Sequence, residues 1–241
     1  MRMRVRFAKR GKVRFTSHRD VARMWERAVR RVGLPVAYSE GFSPRAKLHF
    51  GLALSTGHES DAEYLDVDLD LPGSDELSPT TVFALPAVLT PALPVGIDAT
   101  AAAVIPAGTP SLQQAVTSCT WRIEVTGTEP AEITSAIDRA LAAETLMLTR
   151  TRKGNEVTDD VRPYLLDLTD VGLTDSGTAF SAHLATQPRG LRISELLTVL
   201  GPGLVEGRVV RTFQWTLYDG ARREPLPLDA TSPSHAEMCA S

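Results

Sequence analysis

The stretch that most constrains the fold is residues 17–35, which predicts one amphipathic helix with defined ends. Ser17 is placed to cap the helix, with Asp20 three residues later, while Gly33 and Pro35 end it. Such a helix must bury its apolar face, so the segment predicts a packed domain built around it. The apolar residues recur at helical spacing: Val21, Met24, Trp25, Ala28, Val29 and Val32.

The opposite face of this predicted helix carries five arginines. Guanidinium groups pair bidentately with phosphate oxygens and stack on bases, so this face predicts contact with nucleic acid. A merely solvated helix face is the alternative. Two basic residues follow the helix, and two aromatic residues of the intervening loop are candidates for stacking on bases. The predicted RNA-binding residues of this region are Arg19, Arg23, Arg27, Arg30, Arg31, Tyr38, Phe42, Arg45 and Lys47.

Charge is divided unevenly along the chain. Residues 1–50 contain 14 Lys or Arg against 3 Asp or Glu, and no Lys or Arg occurs from Leu48 to Trp121. The net charge of −3 therefore hides a basic region on an otherwise acidic protein. The N-terminus lacks the apolar core of a signal peptide, and no stretch approaches the length of a membrane span. We therefore expect no membrane partner and a cytoplasmic location.

The order of predicted elements indicates an α+β fold with two ferredoxin-like (βαββαβ-type) halves and antiparallel sheets. The first half has predicted strands at 2–8, 47–54, 63–71 and 100–105, with helices at 18–32 and 79–89. The second half has predicted strands at 119–126, 145–151, 161–170, 178–186 and 208–218, with helices at 131–143 and 193–200. The predicted domains are 1–106 for the basic half, 107–117 for a linker, 118–220 for the second half and 221–241 for a disordered tail.

Two features interrupt the regular pattern. Pro86 lies inside the helix at 79–89, which predicts a short, kinked or broken helix. After Asp219 the composition turns to Ala, Pro, Ser and Glu, which is typical of a disordered segment. We therefore expect residues 224–241 to be dispensable for stability.

The first strand carries a row of arginines at positions 2, 4 and 6. If this strand pairs with the strand at 63–71, the carboxylates of Asp66, Asp68 and Asp70 lie opposite the row. Cross-strand ion pairs would then explain both rows. We therefore do not predict that these arginines bind a ligand.

His18 and His49 are weak candidates for catalysis, because a histidine beside a phosphate site can act as general base in RNA cleavage through the 2′-hydroxyl. Capping or packing is the alternative role. At a second site, Arg152 and Lys153 occupy the tip of a predicted hairpin, where they are either a further phosphate contact or an exposed turn.

No motif indicates a metal or cofactor. The acidic segment from His58 to Glu63 fits no ligand template, and Cys119 and Cys239 match no zinc, iron–sulfur or redox spacing. Cys119 lies in a predicted strand and is expected to be buried. Nucleotide-binding and nucleophile-elbow motifs are also absent, so no cofactor is predicted.

Two blocks resemble the radical-SAM-linked protein family, a domain of unknown function found alone or fused behind a radical SAM domain. The first block, at 4–69, retains Ser-His and Gly-Phe-Ser-Pro; the second, TRTRKGNEVTDDVRPYLLDL, retains Asp-Val-Arg-Pro. Arg19 departs from the family pattern, which favours Leu after Ser-His. The radical SAM cysteine motif is absent, so the chain resembles the stand-alone form. The resemblance implies a radical SAM protein as partner and a setting near RNA processing.

These observations lead to one preferred function and two alternatives. The preferred function is an RNA-binding accessory protein that presents tRNA or rRNA to a radical SAM partner. A metal-independent RNA-processing enzyme using His18 or His49 is one alternative. A protein-binding scaffold, whose arginines meet an acidic partner, is the other.

Overall fold

The structure, a computed structural model, describes residues 1–71, 77–152 and 154–226. Over these residues the protein is mixed α+β, with five α-helices and mostly antiparallel strands, so the α+β class is confirmed. The chain divides into two compact units. Unit 1 comprises Met1–Val116 and the chain from Trp215, whereas unit 2 is Thr117–Gln214. The predicted linker 107–117 ends beside this division, but the predicted second half, 118–220, extends beyond it.

Unit 1 contains a three-stranded antiparallel core. Its elements are β1 (Arg2–Lys9), α1 (His18–Arg31), β2 (Leu48–Phe50), β3 (Glu59–Asp68), α2 (Pro79–Leu89), β4 (Ile97–Ile105) and α3 (Leu112–Ala115). The strands are ordered β4-β1-β3, and β1 pairs antiparallel with both of its neighbours. The short strand β2 pairs antiparallel with β3.

Helix α1 packs on one face of this sheet through the predicted apolar stripe. Ser17 caps it, since its side chain accepts a hydrogen bond from the Asp20 amide. Trp25 is fully buried and meets Phe7 of β1 edge to face, with ring centroids 5.0 Å apart. After the helix, Gly33 has φ +69°, a conformation that glycine adopts without strain. The predicted helix and both of its ends are therefore confirmed.

Helix α2 packs on the same apolar core, and its course at Pro86 differs from the prediction. It runs as one helix through Pro86, so of the predicted alternatives a broken helix was wrong. Pro86 removes one backbone donor, while buried Val82, Leu85 and Leu89 hold the helix to the core. Packing of this face outweighs the local cost of the proline.

Unit 2 contains four paired strands, one hairpin and its own core. Its elements are β5 (Val116–Thr126), α4 (Pro130–Ala142), β6 (Met147–Arg152), β7 (Asn155–Asp160), β8 (Leu165–Thr174), β9 (Gly177–Ala185), α5 (Ile193–Leu200) and β10 (Val205–Tyr218). The sheet order is β10-β5-β9-β8, and β6 pairs with β7 as a separate hairpin. Both helices contribute to its core, Ile133 and Ile137 from α4 and Leu196 from α5. Cys119 of β5 is buried, as predicted.

One predicted strand is much shorter in the structure, and one strand was not predicted. The strand predicted at 47–54 is only Leu48–Phe50, and the Gly51 amide makes a last hydrogen bond to the Tyr64 carbonyl (3.0 Å) before the pairing ends. Strand β7 was missed, because its polar sequence has no apolar alternation. It exists because it pairs with β6 along six residues.

The predicted disordered tail begins too early. Residues Ala221–Arg223 form strand β11, which pairs with β10, and the chain then covers the face of the unit 1 sheet that lies opposite α1. Leu226 is buried there with Tyr64 and Leu112. Glu224 accepts hydrogen bonds from Tyr64 (3.2 Å) and Arg6 (3.1 Å). Dispensability stays a prediction for residues 224–226, which make these contacts, while the rest of the predicted tail lies outside the described residues.

The arginine row of β1 lies on this covered face and forms the expected cross-strand pairs. Arg2 opposes Asp68 and Arg4 opposes Asp66. The Arg4–Asp66 pair is bidentate, with distances of 2.7 and 2.9 Å, and both side chains are almost fully buried. Asp70 does not oppose an arginine; the third arginine of the row pairs with Glu224 instead. The structural explanation of this row is therefore confirmed for two of its three pairs.

Candidate nucleic-acid interface

All five arginines predicted on the outer face of α1 are exposed to solvent. The buried residues of the helix, such as Val21 and Trp25, lie on the opposite side, so packing fixes which face is presented. The exposed residues are Arg19, Arg23, Arg27, Arg30 and Arg31. The helix therefore presents a cationic surface on a rigid support, here named the arginine face.

Few protein groups neutralise the arginine face. Among the described residues, one carboxylate lies within 4 Å of these guanidinium groups, that of Asp20, 3.7 Å from Arg23. A hydrogen bond from Ser17 lowers the pKa of Asp20, with smaller contributions from Arg23 and Arg19. Two arginines donate hydrogen bonds to backbone carbonyls: Arg27 to that of Arg23, in the same helix, and Arg31 to that of Ala92 (3.2 Å each). The face thus retains most of its positive charge.

The loop that follows α1 projects an aromatic side chain into solvent. An isolated bridge between Tyr38 and Ala46, together with the hydrogen bond from the Ser39 amide to the Arg45 carbonyl (2.9 Å), closes the loop at its base. At its tip Phe42 is fully exposed, and Tyr38 is 42% exposed. Arg45 and Lys47 are exposed as well. The loop therefore leaves the whole Phe42 ring accessible from solvent.

His18 lies at the mouth of a small cleft in unit 1. Its ring meets Phe50 edge to face, with centroids 5.2 Å apart. The cleft is also lined by Lys9 and Glu63, both of which are more than 90% buried. His18 therefore sits beside two buried charged side chains, whereas sequence reasoning considered it alone.

His49 is placed elsewhere. Successive residues of a strand point to opposite faces, so His49 of β2 faces away from Phe50 and hence from the cleft. Its Nε2 lies 3.0 Å from an Asp68 oxygen, and the same carboxylate pairs with Arg2. Burial alone would raise the pKa of Asp68, but the hydrogen bonds from Arg2 and His49 outweigh it and lower the pKa. The two predicted catalytic candidates are thus not brought together.

The second predicted phosphate contact belongs to unit 2. Arg152 ends strand β6, opposite Asn155 in the hairpin, whereas Lys153 lies outside the described residues. Nearby, Arg162 of the Asp-Val-Arg-Pro motif is structural. Its guanidinium donates to the carbonyls of Leu141 and Ala143, at the end of α4, and to that of Leu165 (2.9–3.1 Å).

Sequence reasoning missed the two buried charged side chains of the cleft. The sequence predicts Glu63 at the start of the strand at 63–71 and Lys9 just after the first strand, with no site role for either. The signal was available for Glu63, because it precedes the inward-facing Leu65 by two residues and so shares its face. For Lys9 the sequence gives no comparable signal. In the described ranges of the chain, no group of three or more His, Cys, Asp or Glu could hold a metal ion.

The comparisons with known proteins identify a family without an assigned activity. The chain belongs to the family described as "uncharacterized protein conserved in bacteria (DUF2344)", which matches residues 2–194. No curated protein matches the chain. A solved structure titled "Crystal Structure of a Cbf5-Nop10-Gar1 Complex" contains a chain with 10% identity and a TM-score of 0.46. The match covers 88% of the present chain and 48% of that chain, so this protein spans about half of its length. The predicted radical SAM link stays a prediction.

None of the helices in the described part of the chain is long and apolar enough to cross a lipid bilayer.

Proposed function

We propose that this protein is an RNA-binding accessory protein that acts with a radical SAM partner in tRNA or rRNA modification or processing. The observation that carries the RNA contact is the arginine face of α1, which is exposed, rigidly supported and largely without carboxylate partners. Like charges four residues apart on a helix repel one another, and bound phosphates relieve that repulsion. The exposed Phe42 and Tyr38 add stacking surfaces beside the same helix.

Charge-neutral substitution of the arginine face tests RNA binding. We expect the triple variant Arg23→Gln, Arg27→Gln, Arg30→Gln to bind single-stranded RNA at least about tenfold more weakly at 0.1 M salt. The slope of log affinity against log salt should shrink by about 2, since each lost phosphate contact removes about 0.7. Filter binding over a salt series measures both quantities.

A charge-matched variant in unit 2 is the control. Arg122, Arg139 and Arg192 are exposed, and replacing all three by Gln removes the same net charge. This control should bind RNA like the wild type. Equal affinity and slope in the α1 variant and the wild type would contradict the proposal, and so would an equal loss in the control.

The radical SAM partner is proposed from the resemblance of the two sequence blocks and has a separate test. The tagged protein, expressed in its own host and purified at physiological salt, should co-purify with a radical SAM protein. Adding RNA and S-adenosylmethionine should not weaken the association. Absence of association under all of these conditions would rule out a physical complex, while leaving RNA binding untouched.

The enzyme alternative is supported by one observation, the position of His18 beside the cleft. Incubation with labelled total RNA in the absence of metal separates the functions. Cleavage that is lost in His18→Ala would favour a nuclease, whereas retention of intact RNA supports the accessory role. Neither cleavage nor retention would favour a protein-binding scaffold.

The ferredoxin-like arrangement of the halves is kept as part of this proposal. In unit 1 its support is the strand order β4-β1-β3 with two helices on one face. The antiparallel pairing of β1 with β3 also supports this arrangement.

A further inference from the structure

A small cleft lies beside the first turn of α1. Its walls come from the ends of β1 and β2, the start of α1 and the strand β3. The enclosed part has a volume of about 20 Å³, which is room for one water-sized group. A ligand would therefore insert a single small polar group and leave its body at the mouth.

The inner wall of the cleft offers a strong hydrogen-bond acceptor. Glu63 is 8% exposed and Lys9 is 4% exposed, so both functional groups sit in a poorly hydrated environment. Lys9 is oriented by the backbone, because its Nζ donates to the carbonyls of Arg14 (3.4 Å) and Thr16 (3.1 Å). A carboxylate has about four acceptor positions, so Glu63 can accept an inserted amino group in addition to its protein contacts.

The mouth of the cleft offers an aromatic surface. The His18 ring is held by Phe50 and is itself exposed, so one imidazole face is open for stacking. Bases of single-stranded RNA are commonly bound in this way, with one face on an aromatic ring and the Watson–Crick edge on polar groups. Arg19, the first residue of the arginine face, is adjacent to His18 in sequence. The first turn of α1 therefore begins the arginine face and also borders the cleft.

We propose that the cleft binds the amino-bearing edge of an unstacked RNA base, with the amino group donating to Glu63 and the ring stacked on His18. This inference rests on the proposed RNA binding. It adds a preference that phosphate contacts cannot supply, namely for adenine and cytosine over uracil. Adenine and cytosine present an exocyclic amino donor where uracil presents a carbonyl oxygen, which a carboxylate repels.

Binding of 12-nucleotide oligo(A), oligo(C) and oligo(U) at 0.1 M salt tests this preference. The wild type should bind oligo(A) and oligo(C) at least about fivefold more tightly than oligo(U). Glu63→Gln keeps the shape but can donate as well as accept, so the preference should fall below about twofold. His18→Ala should weaken binding of all three oligonucleotides by about fivefold or more, because a stacking surface is lost.

The variants separate failure of this inference from failure of RNA binding itself. The arginine triple variant should lower affinity for all three oligonucleotides and keep their ratio. Absence of a base preference in the wild type, or an unchanged preference in Glu63→Gln, would overturn the cleft assignment and leave the arginine face intact. No binding of any oligonucleotide would overturn the proposed function.

Two further measurements keep the test decisive. If circular dichroism shows that Glu63→Gln is misfolded, His18→Ala decides the question, since an exposed side chain can be removed without loss of folding. Wild-type affinity in that variant would overturn the proposal. Free cytidine should compete only weakly; competition as strong as that of oligo(C) would indicate a small-molecule site instead.

Discussion

Two ion pairs on the same two strands differ in burial and therefore in their contribution to stability. Arg4 and Asp66 are both almost fully buried, whereas Arg2 and Asp68 have exposures of 38% and 23%. A buried pair that loses one partner leaves an uncompensated charge, which costs far more than breaking a pair at the surface. The pairs of this predicted row therefore contribute unequally to the free energy of unfolding.

We expect Asp66→Asn to lower the free energy of unfolding by about 3–5 kcal/mol, because Arg4 stays buried without its carboxylate. Asp68→Asn is the matched control on the same strand and should cost about 1 kcal/mol or less. Urea denaturation at neutral pH measures both variants. Equal losses for the two would show that burial does not decide the contribution of these pairs.

The Asp68 pair should also depend on pH. The pKa of Asp68 is lowered in the folded protein, so its contribution is present above the unfolded pKa of about 3.9 and is lost as pH falls through the folded pKa. The stability difference between wild type and Asp68→Asn should therefore shrink as the pH falls below the unfolded pKa, and it should disappear below the folded pKa. A difference that persists, or grows, at low pH would contradict this sign.

At the scale of single elements, sequence was informative wherever one face of a helix or strand is buried. The capping and terminating residues of α1 specified its bounds, and its apolar stripe specified, by exclusion, the exposed arginine face. The same reasoning failed for β7, whose polar residues are ordered by pairing with β6 and not by burial. It also failed at Pro86, where tertiary packing of α2 outweighs a local propensity.

The candidate site was predictable in part for the same reason. The exposure of the arginines follows from helical periodicity. The exposure of Phe42 follows from its position in a loop without apolar neighbours. The cleft does not follow from sequence, because it is formed by segments far apart along the chain, from Lys9 to Glu63. Only the strand register reveals that these charged groups share a cavity with His18.

At the scale of the molecule, the second unit is inserted into the first along the chain. The chain leaves unit 1 after Val116 and returns to it at Trp215. The last described residues of unit 1 pack on its sheet. Leu226 is 5% exposed in a small cluster with Ala62, Tyr64, Ala101 and Leu112. Unit 1 is therefore incomplete without a segment more than a hundred residues away.

We expect Leu226→Ala to lower the free energy of unfolding by about 2–4 kcal/mol, the usual range for removing a buried leucine side chain. Leu217→Ala is the control, since Leu217 belongs to the same unit and is 59% exposed. Thermal unfolding of both variants checks the difference. If the two midpoints coincide with that of the wild type, the segment at 224–226 contributes nothing to unit 1.

The pairing of Arg6 with Glu224 also sets an order of events during synthesis. The partners are 218 residues apart, so at about 5–20 residues per second roughly 10–45 s separate their appearance on the ribosome. Unit 2, which is continuous in sequence, emerges whole before unit 1 receives its final segment. The nascent chain therefore carries an uncovered Arg6 and an open sheet face throughout translation of unit 2. Unit 1 can therefore be completed only after the whole of unit 2 has been synthesised.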